Sequence, residues 1–112
     1  MKILITGSRD WTDIKKIFEV LTKEVKPGDI IIHGAARGAD SIANFWAIDH
    51  KIEVIAVPPI YKDKTDYYKH RSAEMVGVCD RVIAFWDGKS PGTWFTMDYA
   101  IKRNKTVLVI RQ

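Results

Sequence analysis

The sequence holds a single cysteine, Cys79, in 112 residues. One thiol forms no internal disulfide, so nothing points to a disulfide-stapled secreted scaffold. Cys79 reads as a small buried apolar residue rather than a nucleophile. The chain has no CxxC pair and no HxxxH pair, which removes the commonest short metal-ligand patterns. No apolar run approaches the roughly 20 residues of a membrane span. The opening Met1-Lys2-Ile3-Leu4-Ile5 is too short for a signal-peptide core. A cytoplasmic location with no membrane partner is therefore the expectation. Charge of one sign is only slightly in excess: 18 Lys and Arg stand against 14 Asp and Glu, a formal net charge of +4. That balance suits an anionic ligand but does not by itself indicate DNA binding.

What is present is material for a core. Hydrophobic residues make up 46% and charged residues 29% of the chain, the composition of a folded domain rather than a disordered segment. The length suits one domain over residues 1–112. No repeat, low-complexity tract or linker interrupts it. Short apolar, β-branched runs at residues 2–6, 29–33, 53–57, 81–86 and 106–110 read as strands buried on both faces. Between them apolar residues recur at helical spacing. Ile14, Ile17, Phe18, Leu21 and Val25 form one stripe, stopped by Pro27-Gly28. Ala39, Ile42, Ala43, Trp46 and Ala47 form a second. Tyr68, Ser72, Met75 and Val76 form a third, and Trp94, Met97, Ala100 and Ile101 a fourth. This alternation predicts an α/β protein: a Rossmann-like three-layer fold with a five-stranded parallel sheet in the order 3-2-1-4-5. The switch point then lies between the first and fourth strands, where open α/β sheets bind their ligands.

Three loops are expected to meet at that crevice. The first strand leads into Thr6-Gly7-Ser8-Arg9-Asp10. Gly7 allows a sharp turn and close approach to a ligand. Ser8 can donate to phosphate, and Arg9 offers a planar charged fork. Asp10 or Thr12 is expected to cap the next helix. The second strand leads into His33-Gly34-Ala35-Ala36-Arg37-Gly38-Ala39-Asp40, small residues that open into a helix whose N–H groups suit phosphate. Gly34, Ala35, Ala36, Arg37 and Gly38 are candidate ligand contacts. Asp40 bonds either to a ribose or to its own loop. His33 reads as a hydrogen-bonded structural residue in preference to an acid or base. The fourth strand leads into Asp87-Gly88-Lys89-Ser90-Pro91-Gly92-Thr93. Asp87, Ser90, Gly92 and Thr93 are candidates there, with helix capping by Ser90 or Thr93 as the structural alternative. The basic stretch 61–71 holds Lys62, Lys64, Lys69, His70 and Arg71 against Asp63 and Asp66. Most of it reads as a solvated face. Arg71, four positions before Met75, is singled out as an anion contact. No catalytic residue, metal site or cofactor is assigned.

These motifs resemble the SLOG superfamily, and most closely its YspA-like, cpYpsA-related branch. Thr6-Gly7-Ser8-Arg9-Asp10-Trp11 resembles the opening GSRxW-type motif. Residues His33 to Asp40 resemble HGGARGAD, with Ala35 in place of the second glycine. Ala84-Phe85-Trp86-Asp87-Gly88 and Ser90-Pro91-Gly92-Thr93 resemble the AFWDG and SxGT segments. The branch has Arg-Asn where this chain has Arg71-Ser72. More distantly the chain is similar to LOG and lysine-decarboxylase-like proteins, whose PGGxGTxxE motif matches at Gly92-Thr93 but has Thr96 at the glutamate. The resemblance implies a Rossmann-like sheet and a nucleotide-derived ligand, either an ADP-ribose or NAD-related molecule or another nucleotide signal.

The expected function is binding of such a phosphate-bearing small molecule, as a sensor or sequestering protein. The alternative is hydrolysis of a nucleotide or phosphoribosyl N-glycosidic bond, placed lower because Thr96 cannot hold the negative charge that oxocarbenium chemistry needs. Accessory single-stranded nucleic-acid binding, known in another branch of the superfamily, comes third. A net charge of +4 and no extended basic-aromatic groove argue against it. The expected partner is thus a small-molecule nucleotide derivative, with nucleic acid placed last and a homo-oligomer left open. Trp11, Trp46, Trp86 and Trp94 are shared among base stacking, a dimer face and the core, with core packing expected for Trp46.

Overall fold

The computed structural model describes residues 1–58 and 67–112. Five strands alternate with four helices: β1 (Lys2–Gly7), α1 (Ile14–Glu24), β2 (Ile30–His33), α2 (Ala39–Asp49), β3 (Glu53–Ala56), α3 (Tyr67–Val78), β4 (Arg81–Trp86), α4 (Pro91–Lys102) and β5 (Thr106–Arg111). All strand pairs are parallel and the sheet order is β3-β2-β1-β4-β5, a Rossmann-like α/β fold as expected. The chain reverses its direction of travel between β1 and β4, which pair from Ile3 with Arg81 to Gly7 with Phe85. Among the described residues no helix is long and apolar enough to cross a membrane.

The two-residue period of the strands divides the core. Ile3, Ile5, Ile31, Ile83 and Phe85 face α1 and α2, where they meet Trp11, Ile17, Leu21, Ala43 and Trp46. Leu4, Ile32 and Val82 face the other side and pack with Met75, Val76, Cys79 and Ala100. Trp11 meets the fully buried Phe85 edge-on, with centroids 5.5 Å apart. Trp46 is core, as expected, and its indole N–H donates to Thr22 Oγ1 at 3.2 Å. Cys79 is buried, and burial pushes its thiol up from its ordinary value.

Several local expectations are corrected. The edge strands β3 and β5 are not buried on both faces, because each has a neighbour on one side only and partial helix cover. The cap of α1 is Asp13, whose Oδ1 accepts from the Lys16 N–H at 3.1 Å, not Asp10 or Thr12. Ile14 lies exposed and Val20 takes the inward place. On α4 the buried face is Thr93, Thr96, Met97 and Ala100, while Trp94 and Ile101 face solvent. The two threonines turn inward because that end of α4 borders a crevice rather than the apolar core. Of the basic stretch, residues 61–66 lie outside the described residues, as does the side chain of Tyr68.

Candidate functional site

The carboxyl ends of β1, β2 and β4 frame a crevice of about 370 Å³ at the switch point. Its wall includes Gly7, Arg9, Gly34, Ala36, Arg37, Asp40, Arg71, Ser90, Gly92 and Thr93. Four other residues singled out in the sequence, Ser8, Ala35, Gly38 and Asp87, are not part of the wall. They hold the loops that form it.

The first of these loops is anchored by Ser8, which is 1% exposed. Its N–H donates to Phe85 O at 2.9 Å, and its carbonyl accepts from the Trp11 and Ala39 N–H groups. Its hydroxyl donates to Asp87 Oδ2 at 3.1 Å and accepts from the Asp10 N–H. Its only side-chain proton is therefore committed to Asp87. Gly7 is required chiefly by packing. A Cβ there would stand 2.5 Å from Ala39 Cβ and 2.7 Å from Phe85 O. Gly38 is required twice over: its φ is +75°, and a Cβ would collide with the carbonyls of Ser8 and Arg9. The β1–α1 and β2–α2 loops thus lock directly onto one another.

The second loop is organised by Asp40. The carboxylate is 6% exposed, and Oδ2 accepts from the Gly34 N–H at 3.0 Å and the Ala36 N–H at 3.3 Å. Burial pushes its carboxyl above the usual carboxylate range, against the opposing pull of those two N–H groups and Arg71. Of its two expected roles, the structure shows the bond to its own loop. His33 Nδ1 accepts from the Ala35 N–H at 2.9 Å, so Nε2 carries the proton and donates to Asn44 Oδ1 at 2.8 Å. Both ring nitrogens are engaged within the fold. Ala35 itself has a φ of +57°, left-handed, where a glycine would be unstrained.

The third loop is organised by Asp87. Oδ1 accepts from the Lys89 and Ser90 N–H groups at 2.8 and 2.7 Å. Oδ2 accepts from the Ser90 and Ser8 hydroxyls. These bonds, led by that from the Ser90 N–H, hold its carboxyl down at about 2. Ser90 occupies the cap position of α4 but makes no side-chain cap bond, since its hydroxyl is turned to Asp87.

Arg71 reaches the crevice from α3. Its Nη1 donates to Gly34 O at 2.8 Å, and the guanidinium lies so close over Gly34 that a Cβ there would be 3.1 Å from Cζ. Its Nε is buried without a hydrogen-bond partner among the described residues. Arg9 and Arg37 are exposed at the rim. Arg37 makes only a loose pair with Asp10 at 3.4 Å, both side chains being more than three-quarters exposed, a pairing that adds little stability.

Sequence reasoning missed Ser72, Met75 and Thr96 as wall residues. Thr96 Oγ1 lies 3.0 Å from Gly92 O and 2.9 Å from Ser72 Oγ. A carbonyl can only accept, so Thr96 donates to Gly92 and Ser72 donates to Thr96. The available signal was the three-residue spacing of Thr93 and Thr96, which puts both on one helix face. Asp98, the next acid along α4, pairs with Lys102 at 2.9 Å and is not in the wall. Among the described residues no group of His, Cys, Asp and Glu is placed to hold a metal ion.

The model for the YspA, cpYpsA-related SLOG family matches residues 1–62. The chain belongs to this family. The Gene 61 protein of Mycobacterium phage D29 is 36% identical over 118 aligned positions, which cover 96% of this chain and 94% of that protein. Three solved structures share the family's fold. DNA processing protein A (DprA) from Streptococcus pneumoniae has a TM-score of 0.81 at 19% identity, over 96% of this chain and 49% of its own. DprA from Helicobacter pylori, studied for its single-stranded DNA binding mode, has a TM-score of 0.81 at 22% identity, over 100% of this chain and 66% of its own. TM1055 has a TM-score of 0.71 at 16% identity, over 95% of this chain and 71% of its own. This chain therefore spans about half to two-thirds of the length of the two DprA proteins.

These likenesses correct two expectations. A small-molecule sensor was placed first among functions, and nucleic acid last among partners. The shared fold with DprA reverses that order. The physical reason is that a net charge averages over the whole surface. Here three arginines from three elements gather at one crevice, and a total of +4 does not reveal it.

Proposed function

We propose that the protein binds single-stranded DNA across the carboxyl edge of its sheet, with the crevice as the principal seat. The observation that carries this reading is the convergence of Arg9, Arg37 and Arg71 on one crevice, with an exposed indole one residue along the chain from its wall. Trp94 follows the wall residue Thr93 on the first turn of α4 and is 52% exposed. Guanidinium groups beside an aromatic platform are the working parts of single-strand binding, since every base has a face to stack and every nucleotide a phosphate. Arg71 Nε, which has no hydrogen-bond partner among the described residues, supplies a donor that a phosphate or base oxygen satisfies. At about 370 Å³ the crevice has the size of a small-ligand site. It suits one nucleotide of a flexible strand. A duplex enters such a site only by flipping a base out of its stack. The fold shared with DprA supports the same reading.

The test is fluorescence anisotropy with a labelled oligothymidine of about 12 nucleotides, within the usual range of single-strand sites. Single strand should bind more tightly than duplex of the same length. Arg71→Ala should weaken binding about ten- to a hundredfold, the value of a charge-assisted bond. Trp94→Ala should weaken it by about 1–3 kcal/mol if one base stacks there. No binding at low salt, or equal binding to duplex, refutes the proposal.

A further inference from the structure

We infer that Arg111 is a second phosphate contact, which carries a bound strand beyond the crevice to the outer edge of the sheet; this rests on the single-strand reading above. Arg111 closes β5, whose carboxyl end stands three strand positions from that of β2. At the usual strand spacing this is roughly 14 Å, and β5 lies one strand outside β4, the last of the strands that frame the crevice. The basic side chains follow the edge in strand order: Arg37 after β2, Arg9 after β1, Lys89 after β4 and Arg111 at the end of β5.

Arg111 is held in place rather than left to sweep through solvent. Its guanidinium carbon lies 5.2 Å from the centroid of the Trp86 ring. It crosses the β4–α4 loop at Gly88, where a Cβ would collide with Nη2. Gly88 has a φ of +83°, so the loop presents bare backbone at the crossing point. Trp86 is itself fixed, its indole N–H donating to Ser90 O at 3.1 Å. Ser90 lines the crevice, so the Arg111 seat and the crevice share one rigid loop.

No carboxylate among the described residues pairs with Arg111. Asp87, one residue from Gly88, directs both oxygens to donors of its own loop and to Ser8. A fixed cation with no counter-ion among the described residues, on the same edge as the crevice and joined to it by one loop, is a ready contact for the next phosphate of an extended anion.

The test compares wild type, Arg111→Gln and Arg111→Lys by anisotropy on the same oligothymidine over a range of salt, with thermal midpoints as a check on folding. Each phosphate contact on a single strand contributes about 0.7 to the slope of log affinity against log salt. Arg111→Gln should lower the slope by about that amount and weaken the oligomer, while leaving thymidine monophosphate affinity unchanged. Arg111→Lys keeps the charge and should restore most of the slope. An unchanged slope in Arg111→Gln, with wild type binding normally, overturns this inference alone. Failure of wild type to bind the oligomer overturns the single-strand reading and this inference with it.

Discussion

Replacing Ala35 by glycine should make the protein more stable. Ala35 sits in the loop between β2 and α2 with a φ of +57°. A left-handed backbone brings an L-residue's Cβ against the following carbonyl and costs about 1–2 kcal/mol. Glycine removes that strain. It also gives the unfolded chain more freedom, which takes back about 0.4–1 kcal/mol. The methyl group is exposed, so its removal forfeits little burial. The bond that fixes the loop here runs from the Ala35 N–H to His33 Nδ1, and glycine keeps that donor. The net gain is about 0.5–1 kcal/mol. It should raise the urea midpoint with no change in slope and the thermal midpoint by roughly 2–5 °C. Residue 35 is outside the crevice wall, so oligonucleotide affinity should not fall. A midpoint equal to or below that of wild type would refute the reasoning and mean that the strain is relieved elsewhere in the loop.

Asp40→Ala should destabilise the protein by about 1–3 kcal/mol in urea unfolding, because it leaves the Gly34 and Ala36 N–H groups without their acceptor; Asp40→Asn keeps one acceptor oxygen and should lose less. Asp87 governs part of the acid sensitivity. Its carboxyl stands at about 2 in the fold against an ordinary 3.8, so its stabilising contribution is complete above pH 3.8 and is lost as pH falls through about 2. Asp87→Asn should flatten the loss of stability over that window, measured by circular dichroism. Incubation with adenosine monophosphate should release no adenine by chromatography. The wall position that carries a glutamate in the similar N-glycosidic hydrolases is Thr96, whose hydroxyl proton is bonded to Gly92 O, and losing such an electrostatic contribution typically slows a reaction roughly a hundredfold or more. Steady adenine release that disappears in Asp40→Ala would contradict this.

The fold was legible because its signals are local and repeated. Three isoleucines in β2, or the Pro27-Gly28 stop after α1, need no partner to be read. Right-handed crossovers limited the possible strand orders, and the Rossmann-like choice among them is the observed one. The candidate site was legible at the level of loops, since Gly-bearing turns after β1, β2 and β4 meet at the switch point and line one crevice. Division of labour within the loops was not legible. Ser8, Gly38 and Asp87 look like ligand contacts in sequence, yet they tie loop to loop. Which way a hydroxyl or carboxylate turns depends on neighbours far along the chain: Ser8 and Asp87 are 79 residues apart. The inward Thr96 was hidden by the assumption that a helix's buried face is apolar, which fails where the helix borders a crevice. The preference among partners misled because a total charge says nothing of how arginines are placed.

The central claim, that a single strand lies along the carboxyl edge, is tested most directly by titrating oligothymidine into isotopically labelled protein and following backbone amide signals by NMR. The account predicts the largest shifts in residues 7–10, 34–38 and 90–94, with the opposite edge at Lys2, Asp29, Asp80 and Lys105 unmoved. Shifts concentrated at that opposite edge, or no shifts at saturating oligothymidine, would contradict it.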